Sequence, residues 1–290
     1  MPDAVVHGGA SILKLQAQCP FRAFSERRLF SAPLDEIEQG LDAGERGNLL
    51  HDVMAAFWKR VETQQALRQM SDATRFDTLK LAIHTALAKT TAEAATPWQL
   101  RYLDVQRQWL LDLLLPDWLA VELARPPFQV LHTEFKLHDR AIGPLRLDAR
   151  VDRIDALLDA DHPAASDSSP LLILDYKTGN IPSKPWDGDR PDEPQLPLYT
   201  VLAAPLPVTG IAFARLKAGK FALDDCSGAD FTSRLDDWRH VLTHLAEAFV
   251  HGDTTVDPKT AGVCAHCAQA ALCRIHELRA LAGTGEALDD

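Results

Sequence analysis

The sequence predicts an α/β fold: a helical first half, a small mixed sheet, and a cysteine-bearing loop near the C-terminus. Two patterns predict the layers. Apolar residues recur at helical spacing up to about residue 122, and from residue 128 they alternate with polar ones at the period of a strand. The third observation is the split cysteine set. Cys19 stands alone near the N-terminus, while Cys264, Cys267 and Cys273 form C-x2-C-x5-C. Four thiolates suit either a tetrahedral zinc or an iron–sulfur cluster, and ligation from both ends would staple the start of the chain to its finish.

Residues 1–10 read as a loose leader, and residues 11–29 as helix interrupted at Pro20. Residues 41–47 read as a turn. A helix follows from about Asn48, because Leu50, Val53, Met54, Phe57 and Val61 share one face. Residues 72–122 continue as helices and stop before Pro126-Pro127. Residues 128–138 are expected to be a strand. A second strand follows, in which Leu145, Leu147, Ala149 and Val151 alternate with Arg146, Asp148, Arg150 and Asp152. Residues 159–170 read as a polar loop without order of its own. Leu171 to Lys177 is a short apolar strand, residues 194–204 open a helix, residues 208–216 form a strand, and residues 230–250 a long helix.

These elements are expected to make one domain over residues 11–277, mainly helical over 11–125, with a core over 126–255. Residues 256–277 would form a cysteine loop closing on Cys19, and 278–290 a tail. A chain of 290 residues that is 46% hydrophobic can bury a core of that size. No apolar run approaches the roughly 18 residues of a membrane span, and the N-terminus lacks a basic-then-apolar leader, so a cytoplasmic location is expected. In that compartment five cysteines at uneven spacing read as metal ligands, with Cys226 as an ordinary spare. The net charge of −11 weighs against a nucleic-acid partner. Carboxylates that hold a cation count in that sum, however, and basic residues gather at Arg22, Arg27, Arg28, Lys59 and Arg60.

The candidate chemistry lies at the strand ends. Asp175 and Lys177 are two residues apart and share a strand face. The pair could be a surface ion pair, or a cation ligand beside a lysine that positions water at a phosphate. Asp152 and Asp155 fall on opposite faces of the neighbouring strand, so only one can join Asp175. His51 lies off the apolar stripe of its helix, either structural or facing a site. Gln195 and Tyr199 share one helical face.

Taken in order, Cys19-Pro20-Phe21, Arg46-Gly47-x3-His51, Asp152-Arg153-Ile154-Asp155, Asp175-Tyr176-Lys177-Thr178-Gly179, Gln195-x3-Tyr199 and the cysteine triad resemble a known family. The chain is similar to the RecB-type nuclease domain of the PD-(D/E)xK superfamily, and more closely to the iron–sulfur nuclease domain that ends AddB-type helicase–nuclease subunits. The similarity runs from about residue 11 to 277, with Ala149 where the family usually has glycine.

The resemblance implies a restriction-endonuclease-like core that hydrolyses DNA phosphodiesters, as an exonuclease on single strands in repair and recombination. Mg²⁺ or Mn²⁺ would sit on His51, Asp152, Asp175 and the carbonyl of Tyr176. Lys177 would be the catalytic lysine, supported by Gln195 and Tyr199. A [4Fe–4S] cluster would sit on Cys19, Cys264, Cys267 and Cys273, with His266 a bystander. A partner helicase subunit is a further expectation, since the sequence has no Gly-rich phosphate loop of its own. Three alternatives stay open: a free-standing nuclease of the CRISPR-adaptation type, a silent DNA-end-binding module, and a zinc-stapled scaffold for a helicase.

Overall fold

The structure is a computed structural model that describes residues 8–31, 41–90, 97–114, 116–159, 163–217, 219–265, 267–275 and 277. The expected tail, His266 and most of the leader lie outside them. Five strands form one mixed sheet in the order β1-β2-β3-β4-β5: β1 (Phe128–Ile142), β2 (Leu145–Leu157), β3 (Leu171–Lys177), β4 (Val208–Arg215) and β5 (Ala222–Ser227). Helices flank both faces, as the sequence predicts. Helices α1 (Ser11–Gln18), α2 (Pro20–Arg27), α8 (Gln195–Ala203) and α9 (Gly228–His251) cover one face, packing on Leu145, Leu147, Val151, Ile173 and Ile211. Helices α3 (Ala43–Val61), α4 (Gln64–Gln69), α5 (Asp72–Thr90), α6 (Pro97–Leu114) and α7 (Pro116–Ala124) lie over the other, around Trp58, Trp118 and Phe128. Two short helices, α10 (Ala261–Ala265) and α11 (Ala270–Cys273), carry the C-terminal cysteines. None of the described helices is long and apolar enough to cross a membrane.

The elements start and stop for local reasons. Cys19 is extended between α1 and α2, and Pro20 opens α2 where a missing N–H costs nothing. The expected turn at residues 41–47 is instead the first turn of α3. Asp42 accepts from the Glu45 N–H while the Glu45 carboxylate takes the Asp42 N–H, a capping box that starts the helix at Ala43 rather than Asn48. Only β3 and β4 run parallel. A parallel pair needs a crossover, and α8 supplies it, which lays Gln195 and Tyr199 over the end of β3. Strand β5, too short and too acidic to stand out in the sequence, pairs antiparallel with β4 and completes one edge. The polar loop is partly ordered, with Ser166, Ser168 and Ser169 hydrogen-bonded to one another.

Strand β2 changes character along its length. From Leu145 to Val151 it alternates as expected, but Asp152 to Ala156 are all buried because helices cover both faces there. Arg153 and Asp155 therefore lie in the second core rather than on a solvated face. Arg153 donates to Asp155 and to Glu122, and Arg125 bridges the same two carboxylates. The Arg153 guanidinium also lies 4.0 Å over the Trp58 ring and 4.8 Å over Phe128. Burial raises the cost of charge on Glu122, but the two guanidiniums outweigh it and hold the carboxyl below its ordinary range.

Removing one charge from this closed set leaves its partners buried and uncompensated. Glu122→Gln is expected to destabilise the protein by about 3–5 kcal/mol, or roughly 10 °C in thermal midpoint. Calorimetry of the two proteins side by side checks this, and a loss of under about 1 kcal/mol would show that the network relaxes around the defect.

Candidate active site

The strand pairing brings the charged residues together. Antiparallel β2 and β3 set Arg153 opposite Leu174, which leaves Asp152 beside the end of β3. There Asp152 Oδ2 accepts the Tyr176 N–H at 2.9 Å, and Oδ1 lies 3.3 Å from His51 Nδ1. The other nitrogen of His51, Nε2, lies 3.1 Å from the Tyr176 carbonyl oxygen. His51 reaches the strand ends from the third turn of α3, so its imidazole lies between the Asp152 carboxylate and the Tyr176 carbonyl. Burial disfavours the imidazolium, but Asp152, Asp175 and Glu134 outweigh it and raise the His51 pKa.

Asp175 is 1% exposed, and neither carboxylate oxygen makes a hydrogen bond. The Lys177 ammonium lies 3.0 Å from Oδ2, close enough for charge pairing though off the hydrogen-bond line. Burial and the neighbouring Asp152 push the Asp175 carboxyl up to about 7, against the pull of Lys177 and His51. Lys177 donates at 2.9 Å to Gln195 Oε1, and Gln195 Nε2 donates at 2.8 Å to the Tyr199 hydroxyl. The helical spacing of Gln195 and Tyr199 thus makes a two-link support for the lysine. Burial disfavours the Lys177 ammonium, yet Asp175 and Glu193 outweigh it and raise its pKa.

The sequence reading missed Glu134. Its carboxylate oxygen, a ring nitrogen of His51 and a carboxylate oxygen of Asp152 lie within 4.8 Å of one another, a spacing that can hold a metal ion. Asp175 is not part of that triplet but stands within electrostatic reach of both Asp152 and His51. A bulge brings Glu134 there. At the hairpin tip Ile142 opposes Leu145 and Arg140 opposes Leu147, but beyond the bulge Leu137 opposes Ala149, a shift of one residue. Asp139 absorbs the irregularity with φ 51°. Thr133 then pairs with Arg153 and Phe135 with Val151, so Glu134 lies across from Asp152. Without the bulge it would oppose Arg153, and one-residue slips exchange faces. An acidic residue in the first strand was the available signal, but no sequence pattern announces the bulge.

A cleft of about 530 Å³ opens on this cluster, lined by His51, Asp152, Gln195 and Tyr199 together with Lys14, Lys136 and Arg150. These three cations put positive charge beside the carboxylates, although Asp148 also lines the cleft, Lys14 pairs with Glu193 and Arg150 with Glu134.

The sequence profile of the PD-(D/E)XK nuclease superfamily matches residues 9–274. The chain belongs to the PD-(D/E)XK nuclease superfamily. Its mixed sheet flanked by helices fits the restriction-endonuclease-like core of that superfamily, and membership implies metal-dependent nuclease chemistry. No curated protein matches the sequence. Among solved structures, one described as "Crystal structure of SSO0001" is 12% identical, covering 91% of this chain and 94% of that chain, with a TM-score of 0.31.

PD-(D/E)XK nucleases use divalent metals, and the site fits one. An oxygen-rich, buried cluster whose central carboxylate lacks hydrogen bonds is the donor set that a hard cation completes.

The four cysteines of the expected cluster line one small apolar cavity with Phe21, Val256, Pro258 and Val263. None is in a disulfide. Among the described residues no three of these sulfurs lie within 4.8 Å of one another. They are therefore not drawn in to the roughly 3.8 Å separation of a tetrahedral zinc thiolate. Hydrogen bonds already tie the two ends here: Phe21 N–H to Thr255 O, Lys259 N–H to Gln18 O, and Ser25 Oγ to Gln269 Oε1. Cys226 lies elsewhere, on β5, and donates to Asp230.

The raised Asp175 pKa fixes a pH dependence. Its value of about 7 lies above the ordinary 3.8, so the metal-free native state prefers the protonated carboxyl. The stability this contributes is complete below the ordinary value and is lost as pH rises through about 7. Asp175→Asn removes the penalty. Above pH 7 the metal-free variant should melt about 2–6 °C higher than the parent and gain little from added Mn²⁺, whereas the parent gains. Thermal scans at several pH values check this. A variant less stable than the parent above pH 7 would contradict it.

Proposed function

We propose that this chain is a DNA nuclease of the RecB and AddB type, acting as an exonuclease on single-stranded DNA during end processing in repair or recombination. The observation that carries the reading is the contact of Lys177 with a buried, hydrogen-bond-free Asp175, next to Asp152 and His51. Those four side chains match, residue by residue, the ordered motifs that resemble this nuclease type, and the hold of Gln195 on Lys177, with Tyr199 behind Gln195, supports the assignment.

In this reading His51, Asp152, Asp175 and the Tyr176 carbonyl would hold Mg²⁺ or Mn²⁺, with Glu134 adding a third carboxylate. Bound there, such a cation would supply Lewis-acid chemistry, polarising a phosphate oxygen and lowering the pKa of water. Lys177, held by Gln195, hydrogen-bonds the attacking water or the developing charge on the phosphate. Tyr199 fixes the amide of Gln195, and so fixes which oxygen the lysine meets. Lys14, Lys136 and Arg150 offer positive charge along the cleft to the flanking phosphates. Residues 11–277 act as one domain. Cys19, Cys264, Cys267 and Cys273, which line one cavity, would hold a [4Fe–4S] cluster bracing the two ends, and a helicase subunit would deliver the strand in the cytoplasm.

The test is cleavage of end-labelled single-stranded DNA by anaerobically purified protein. Cutting should require Mg²⁺ or Mn²⁺, stop with EDTA, and fall by at least about a hundredfold in Lys177→Ala, the order of a lost charge-stabilising group. Undiminished cutting by that variant would remove Lys177 from the chemistry. A folded, metal-loaded parent that binds strands without cutting them would favour a DNA-end-binding module.

Cys19→Ala tests the cluster separately. The parent should be brown, and the variant should lose that colour and melt several degrees lower. A colourless parent that contains zinc, or a variant that keeps its chromophore, would overturn the ligand assignment.

A further inference from the structure

Lys177 stands among three acceptors, of which only one receives a hydrogen bond. Its Nζ donates to Gln195 Oε1, lies 3.0 Å from Asp175 Oδ2, and lies 3.8 Å from Glu193 Oε2. Glu193 sits in the segment leading into α8, its N–H bound to the Pro185 carbonyl. It is 9% exposed. One of its oxygens, Oε1, accepts from Lys14 on α1, while Oε2 is buried with no hydrogen-bond partner. A buried acceptor left without a donor costs about 1–3 kcal/mol, so this oxygen needs a reason.

The reason is found at Asp175, on the reading above that Asp175 holds a divalent cation. The cation and the Lys177 ammonium compete for one carboxylate, and their like charges repel across the same few ångströms. A lysine that stayed on Asp175 would weaken cation binding. One that swung into solvent would leave the reacting phosphate. Glu193 Oε2 offers a third position. A shift of about 1 Å brings Nζ from its present separation to hydrogen-bond distance, and Gln195 can keep its hold throughout. Lys14 clamps the other oxygen, so the carboxylate cannot turn away.

We propose that Glu193 is a positioning residue that receives Lys177 when a divalent cation displaces it from Asp175, keeping the lysine charged and beside the substrate cleft. The same carboxylate then couples two lysines, since Lys14 itself lines the cleft where a phosphate would lie.

Mn²⁺ titration of the full chain without DNA, at about pH 8 and read by the EPR signal of free Mn²⁺, tests this without reference to activity. Lys177→Met should bind Mn²⁺ about three- to tenfold more tightly than the parent, because the competing ammonium is gone. Glu193→Gln, nearly isosteric, should bind about as much more weakly, and Glu193→Ala provides a second variant if the first melts early. The double variant should match Lys177→Met, because Glu193 acts through the lysine. If Glu193→Gln weakens binding equally in the Lys177→Met background, Glu193 is merely a nearby negative charge and the proposal is wrong. It is equally wrong if Glu193→Gln binds like the parent. Asp175→Asn separates the two readings: unchanged Mn²⁺ affinity there would overturn the cation site itself, and this inference with it.

Discussion

Asp175 is buried at the end of the central strand without a hydrogen bond to either oxygen, and the surrounding site is organised by that fact. A carboxylate in such a place resists ionisation, which is why its pKa rises to about 7. Its neighbours divide into two kinds. Asp152 and Glu134 add negative charge and make the problem worse, while Lys177 and His51 answer it in part. Asp152, Asp175 and Glu134 face Lys177 and, 3.0 Å from Glu134, Arg150, so the set keeps an excess of negative charge while the imidazole is neutral. In a nuclease of this superfamily that excess is what attracts a hard cation, and the cation in turn lets the site accept a phosphate.

The rest of the fold keeps this cluster in register. Strand β3 is central, so its end cannot shift without disturbing both β2 and β4. On the opposite face Arg153, Asp155, Glu122 and Arg125 form a closed set of charges beneath Trp58 and Phe128. Burying two ion pairs is a poor way to gain stability, since hydrophobic residues often do as well. It does fix the neighbouring residue: with Arg153 locked on one face, Asp152 must point to the other. Arg153 also donates towards the Tyr176 hydroxyl, tying β2 to β3 from behind the site. The N-terminal helix belongs to the same frame. Arg190 donates to the carbonyls of Ala17 and Gln18 and pairs with Asp257, so the segment before α8, the end of α1 and the segment leading to the cysteines are tied together.

Much of this was legible in the sequence because it depends on local period. The alternation in residues 145–152, the apolar run into Asp175, the broken helix at Pro20 and the spacing of Gln195 and Tyr199 each announce their element and face. The likeness to a nuclease superfamily was legible too, because it rests on the order of short motifs. The start of α3 was misplaced because Gly44 and Gly47 look like a turn, while the capping pair Asp42 and Glu45 outweighs them. The burial of Arg153 and Asp155 was not legible, since charged residues on a strand look solvated until the helix that covers them is known. Glu134 was hidden for a different reason. Its position depends on a one-residue bulge between Leu137 and Arg140, and that is decided by pairing geometry rather than composition.

The central claim is that the carboxylates around Asp175 form a cation site. Crystals grown metal-free and soaked in MnCl2, with data collected at the manganese absorption edge, test it directly. The account predicts an anomalous peak bound by Asp152 and Asp175, with His51 as a further ligand and the Lys177 ammonium moved off Asp175. A fully soaked crystal with no peak there, and Lys177 still paired with Asp175, would contradict it.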